Sequence, residues 1–330
     1  MTHKTYNTYN TEEQVVGKVC EPLQKWGGDW TIEKLDALEK YVRAYLAIMK
    51  KYAPKYGWQL FYFDAFAGSG TTGKETQQPS VSASSSIFLD ELADTDWAGM
   101  EKEETYKGAA ERVVGLDIDG FGFDYYYFVD KDTKSLTKLE TMLKGRFPLR
   151  SRKMVFKTGD ANKKVLELVE YAKTYPKCSA LVLLDPFGMQ LDWSTIEALQ
   201  TIKHLDLWIL VPSGVIINRL LKRDGEIMYP ENLTRFFGMS ENELKAYFYE
   251  RQVEQTLFGE DVRIKKARNA IERIAQLYVD RLKTLFECVT EKPLVLRNST
   301  NCPIFHFVFA SHNETGLKIA SQIVGKKNKK

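Results

Sequence analysis

Four times in this chain an apolar run stops at an aspartate: "WQLFYFD" at Asp64, "YYYFVD" at Asp130, "KMVFKTGD" at Asp160 and "ALVLLD" at Asp185. Runs this rich in aliphatic and aromatic residues suit strands buried on both faces, as a parallel sheet requires. The helical stretches "TKSLTKLETMLKG" and "NKKVLELVEYAKTY" separate the last three runs, and helix "WSTIEALQTI" and strand "LDLWILV" continue the alternation. Repeated alternation of this kind predicts an α/β fold with a doubly wound, mostly parallel sheet. A final pair of strands, "PLVLR" and "IFHFVFA", joined by a turn at Asn301 to Pro303, predicts one reversed strand before a closing helix from about Glu314. Ligands of an open sheet bind beyond the carboxyl ends of its strands, so each aspartate stands where a ligand would lie.

The loop after the first run, "DAFAGSGTTGKE", admits three readings. A phosphate-binding loop requires Ser or Thr after the lysine, but Glu75 stands there and Gln77-Gln78-Pro79 interrupts the following helix. A dinucleotide loop wants an acid about twenty residues on, and the nearest strand-end candidate, Asp130, is far beyond that. The third reading is S-adenosylmethionine, a cationic ligand without phosphates whose site should be lined by acids. Gly68 and Gly70 would let the backbone approach its methionine moiety, with Phe66 and Ala67 in the same turn and Asp64 facing the ammonium group. Asp130, followed by Lys131, would accept from the ribose hydroxyls, and Asp160, followed by Ala161, from the adenine amino group. A strand-end aspartate is also commonly just a helix cap, and for Asp130 and Asp160 that reading stands beside the ligand role.

After the fourth strand, "LLDPFGMQLDW" offers Asp185, Pro186 and Phe187. The trio resembles the D-P-P-Y/F motif of enzymes that methylate exocyclic amino groups, in which acid and proline carbonyl accept the amino hydrogens and the ring stacks on the base. Here the second proline is missing and the ring stands one place early.

The blocks "YFDAFAGSG", "YYYFVDKD", "GDAN", "LLDPFGMQLDWSTIEAL" and "DLWILVPSGVIINRLLKRDG" together resemble the three-Cys-motif partner proteins, bacterial relatives of class I methyltransferases. The similarity runs from about Thr31 to the end. The resemblance implies a Rossmann-like class I methyltransferase fold, an S-adenosyl-L-methionine site and a protein partner, the three-Cys-motif protein from which the family takes its name. The expected function is an S-adenosylmethionine-dependent methyltransferase, acting on an amino group of a nucleic-acid base. The alternative is a non-catalytic module that binds cofactor or partner with the same fold.

Composition narrows the setting. The 330 residues are 44% apolar and 28% charged, enough for a substantial core without disulfides or metals. The four cysteines and four histidines are scattered with no C-x-x-C pair, so no metal site is expected. The N-terminus has no apolar leader and no run is long enough to span a bilayer, which predicts a cytoplasmic protein without membrane contact. Net charge is +3, but 90–124 holds eleven acids against three bases, so the remainder carries +11. Bases gather in "KGRFPLRSRKMVFK", "NRLLKR" and "RIKKAR", and such clusters could follow a phosphate backbone. In outline, residues 1–56 form an N-terminal helical extension, including helix "TIEKLDALEKYVRAYLAIMKKY" with Thr31 as its cap. Residues 57–330 form the α/β domain, with an irregular acidic insertion at 90–124 and a helical insertion at about 214–290 that contains a long helix near Ile264 to Phe286.

Overall fold

A computed structural model describes residues 29–70, 107–186, 188–256 and 259–328, the side chains of 254–262 excepted. Helix α1 (Asp29–Tyr56) leads into β1 (Gln59–Asp64). Leu35, Leu38, Val42, Tyr45, Leu46 and Met49 form its buried stripe, as the helical spacing predicts. Thr31 lies within its first turn, because the helix already begins at Asp29. There follow α2 (Ala109–Gly115), β2 (Tyr125–Asp130), α3 (Thr133–Arg146), β3 (Met154–Thr158), α4 (Ala161–Thr174), β4 (Cys178–Leu184), α5 (Trp193–Leu199) and β5 (Leu205–Val211). A short π-helical turn, Ser213–Ile217, opens the next region. It contains α6 (Pro230–Phe237), α7 (Glu241–Phe248), β6 (Tyr249–Thr256), β7 (Gly259–Lys266) and α8 (Ala270–Lys283). Strands β8 (Cys288–Val289), β9 (Leu294–Arg297) and β10 (Pro303–Ser311) and helix α9 (Glu314–Lys327) end the fold.

The main sheet runs β3-β2-β1-β4-β5-β10-β8, with β9 on the same edge of β10 as β8. From β3 to β5 every pairing is parallel, and β10 is antiparallel to β5. All residues of β4 and β5 are buried, which is why the sequence shows them as unbroken apolar runs. One face carries α1, α2, α3 and α9, and the other carries α4 to α8. The order reverses between β1 and β4. That switch point, where neighbouring connections leave to opposite faces, opens the crevice in which such sheets bind ligands.

Helix α1 lies along the sheet on polar anchors. The Tyr45 hydroxyl meets Ser179 Oγ at 3.0 Å, and the Tyr41 hydroxyl donates to Asp206 Oδ2 at 2.7 Å. Ser311 Oγ donates to the other Asp206 oxygen at 2.7 Å. Burial pushes the Asp206 carboxyl up, and these two hydrogen bonds oppose the shift.

The acidic segment is described from residue 107 onward, and there it is ordered by charge. Arg112 pairs with Asp36 at 2.8 Å, and Lys50 with Asp119 at 2.9 Å. Arg146 pairs with the buried Glu111, while Arg150 donates to Leu116 O at 2.6 Å and pairs with Asp117 at 2.6 Å. Lys153 donates to Phe123 O at 3.1 Å, and Lys144 pairs with Glu140. The segment is therefore not irregular over these residues: it contains α2, with Val113, Val114 and Phe123 buried. The "KGRFPLRSRK" bases, which could have followed a phosphate backbone, are largely spent inside the fold.

A second difference concerns 249–266. Where a long helix was expected from Ile264, Arg263–Lys266 pair with Tyr249–Gln252 in an antiparallel ribbon, and the helix starts only at Ala270. Asn269, at φ +55°, takes the left-handed conformation that separates them. A short alternating segment has no period that distinguishes helix from strand until a partner strand is present.

Tyr41→Phe tests the α1 anchor. It leaves Asp206 with one hydroxyl partner in a buried site and should lower unfolding free energy by about 1–3 kcal/mol in urea denaturation. An unchanged midpoint would mean that the anchor does not hold the helix.

Candidate functional site at the carboxyl edge of the sheet

Asp64 ends β1 and is 2% exposed. Its Oδ1 accepts from Phe66 N at 3.2 Å, and the Tyr62 hydroxyl stands 3.5 Å from Oδ2. Ala67 N donates to Val129 O at 2.9 Å, which carries the loop across to β2. Gly68 N then donates to Asp130 Oδ2 at 2.8 Å, while Asp132 N donates to Asp130 Oδ1 at 2.8 Å. The glycine loop is thus folded onto the acid that ends β2. Gly68 (φ +58°) and Gly70 (φ +72°) both need the left-handed region. They differ in surroundings: a side chain at Gly70 would strike Leu139, whereas no described residue lies within 4 Å of the position a Cβ would take at Gly68.

Asp160 follows β3 and caps α4, accepting from Lys163 N at 3.2 Å, and Lys131 pairs with it at 3.0 Å. Burial pushes its carboxyl up, but the Lys131 and backbone hydrogen bonds outweigh this and hold it below the ordinary value. Ala161 is buried as the first residue of α4. Asp185 follows β4 with Pro186 buried behind it, and Phe187 lies outside the described residues. The acids of β1, β2 and β4 form one electrostatic unit. Asp64 is pushed up to about 7 by burial first and by the Asp185 charge next, with Asp130 adding to the rise. The Phe66 amide and Lys34 oppose it.

Two residues of this site had no expected role. Lys34, on α1, donates to Asp185 Oδ2 at 2.5 Å and is only 7% exposed. The sequence did hold a signal, since Trp30, Lys34 and Leu38 recur at helical spacing in a buried stripe and a lysine is out of place there. Asn162, in "GDAN", fastens the loop after β4. Its Nδ2 donates to Gln190 O at 2.8 Å, and its Oδ1 accepts from Asp192 N and the Thr195 hydroxyl, both at 2.9 Å. On the other side of that loop, Ile216 of the π-helical turn lies 3.5 Å from where a Cβ of Gly188 would sit.

No protein-family model and no curated protein sequence matches this chain. Among solved structures it is similar to protein LPL1258 from Legionella pneumophila str. Philadelphia 1, at 13% identity over 88% of this chain and 99% of that one, with TM-score 0.38. It is also similar to the DszA carbon methyltransferase, at 13% identity over 82% of this chain and 52% of that one, with TM-score 0.33. A third is the methyltransferase domain of bacterial-CtHen1-C, at 11% identity over 84% of this chain and all of that one, with TM-score 0.31. The fold is a mixed α/β, mostly parallel sheet with one antiparallel strand near the C-terminus. Among the described residues no helix is long and apolar enough to cross a membrane, and no cluster of His, Cys, Asp and Glu could hold a metal.

The charges of Asp185 and Asp130 both bear on Asp64, and among the described residues its Oδ2 meets the Tyr62 hydroxyl at 3.5 Å, the limit of hydrogen-bond length. Asp64 sets a pH dependence. Its folded value, about 7, lies above its ordinary 3.8, so its contribution to stability is complete below about pH 3.8 and is lost as pH rises through 7. The loss is on the order of 4 kcal/mol. Asp64→Asn should match the wild type near pH 4 and become progressively more stable than it up to pH 8. Parallel pH profiles of thermal unfolding would contradict the buried, crowded carboxyl.

Proposed function

We propose that this chain is an S-adenosylmethionine-dependent methyltransferase that acts on an amino group of a nucleic-acid base, with a three-Cys-motif protein as its partner. The observation that carries the reading is the glycine loop folded onto Asp130 beside the buried Asp64 at the switch point. Asp64 would offset the ligand's positive charge. Asp130 already accepts two backbone amides, but a carboxylate has about four acceptor directions, so it retains capacity for the ribose hydroxyls. Lys131 and Asp160 would close the adenine side. Bound S-adenosylmethionine supplies an electrophilic methyl group on a cationic sulfur. Asp185 and the Pro186 carbonyl would accept the hydrogens of the acceptor amino group, directing its lone pair and stabilising the positive charge that grows on nitrogen.

A nucleic-acid acceptor is supported by a basic surface next to the acceptor loop. Lys266 donates to Asn218 O, Asn218 Oδ1 and Leu221 O at 2.6, 2.7 and 2.8 Å, joining "RIKKAR" to "NRLLKR", two clusters far apart in sequence. Lys222, Arg223, Arg251, Lys265 and Arg268 are exposed around this joint. Burial, and to a lesser degree the Arg223 charge, lower Lys266 to about 8. The non-catalytic alternative is favoured by one feature, the missing second proline before Phe187.

Calorimetry with S-adenosylmethionine should give a micromolar-scale dissociation constant, on the order of −8 kcal/mol. Asp130→Ala should weaken it by roughly 1–3 kcal/mol. No heat with the wild type would overturn the reading. Radiolabelled methyl transfer to RNA, DNA and protein, with and without the partner, identifies the acceptor.

If that acceptor is single-stranded RNA, replacing Lys222 and Arg223 together should flatten the log–log salt slope of binding by up to about 1.4, near 0.7 per lost phosphate contact. Cofactor affinity should be unchanged. A slope insensitive to both substitutions would remove this surface from the RNA path.

A further inference from the structure

Lys34 is out of place by every local rule. It occupies the buried stripe of α1, four residues after Trp30 and four before Leu38, where an apolar side chain would pack without loss of hydration. Helix α1 does not need it as an anchor, because the Tyr41 and Tyr45 contacts and a continuous apolar face already fix the helix. A buried ion pair is often no more stabilising than the apolar residues that could replace it. The pair therefore carries a cost that helix packing does not explain.

Geometry accounts for where the charge goes. Helix α1 runs antiparallel to β4, with Tyr45 on Ser179 near the start of the strand and Lys34 on Asp185 just past its end. Eleven helical residues span about 16 Å at 1.5 Å each, and six strand residues about 20 Å at 3.3 Å each. The difference is within the reach of a lysine side chain. Nζ donates to Asp185 Oδ2 at 2.5 Å and lies 5.6 Å from the centre of the Trp30 ring. Among the described residues, Asp185 Oδ1 accepts no hydrogen bond. One oxygen of the carboxylate is thus fixed by the helix, at the start of a loop that Asn162 fastens independently.

We propose that Lys34 is a positioning residue of the acceptor site, holding Asp185 oriented so that Oδ1 receives the acceptor amino group. The inference rests on the methyltransferase reading and deepens it, because it makes the N-terminal helix part of the catalytic edge. The charged and titratable groups of the cluster are Lys34 from α1, Tyr62 and Asp64 from β1, Asp130 from β2 and Asp185 after β4. In this cluster Lys34 is the cation that offsets Asp185 and Asp64. Without it, Asp64 loses a charge that holds its carboxyl down, and its value rises further.

The test compares Lys34→Met, which keeps length and packing, with Lys34→Arg, which keeps charge. S-adenosylhomocysteine binding is measured by calorimetry, methyl transfer in single turnover with total bacterial RNA as probe, and the Asp64 carboxyl by carbon NMR titration. Lys34→Met should leave product affinity within about three-fold, lower the transfer rate about 10²-fold, as misplacement of a catalytic group does, and move the Asp64 midpoint above that of the wild type. Lys34→Arg should recover most of the rate and the wild-type midpoint.

A wild-type rate in Lys34→Met would overturn the inference. A faster rate would do so too, making Lys34 a plug that substrate must displace. A rate lost equally in both variants, with an unmoved Asp64 midpoint, would reduce the pair to helix packing. Absence of S-adenosylhomocysteine heat in the wild type would instead overturn the methyltransferase reading, and the Asp64 titration would still decide whether Lys34 governs the charge of the cluster.

Discussion

The side-by-side pairing of β1 and β4 is the constraint on which the rest depends. Their parallel register sets Asp64 opposite Leu183, so the acids that end the two strands emerge at one edge, two residues out of step. All of both strands but Gln59 is buried, Asp64 included. Two like charges in such a place raise each other's cost of ionisation, and the structure answers with a cation drawn from α1. The helix is thereby part of the edge and not only a cover for one face.

Charge placement follows a division of labour that net charge conceals. The bases of α3 and the turn after it engage the acidic segment before β2, with Arg146 on Glu111 and Arg150 on Asp117. That exchange holds α2 against the sheet. The three hydrogen bonds of Lys266 join the bases after β5 to those along β7. Surface ion pairs contribute little singly, so these contacts matter chiefly for where they leave cations exposed.

The loop after β4 shows how a short motif depends on remote residues. Asp185 and Pro186 adjoin each other in sequence, yet the loop takes its course from Asn162 on one side and Ile216 on the other. The turn that carries Ile216 is π-helical, a geometry frequent at functional sites. Within it Ser213 meets His306 of β10 at 2.7 Å, and burial lowers that histidine to about 4, so it stays neutral in the core.

The sequence by itself determined the parallel strands from β1 to β5 and their order along the chain. Apolar runs of strand length closed by Asp64, Asp130, Asp160 and Asp185, alternating with 3.6-period stripes, leave few folds open, because fully buried strands require parallel neighbours and covering helices. The glycine loop was legible for the same reason: two left-handed positions after a strand are a local property of the backbone. Tertiary structure alone decided what depends on distance across the sheet. It turned Arg263–Lys266 into a strand by supplying Tyr249–Gln252 as partner, spent the bases near Arg150 on an acidic segment before β2, and brought Lys34 to Asp185 from 151 residues away. Periodicity records which face of an element is buried, but not which charge waits on the other side, since that is settled only when the elements pack.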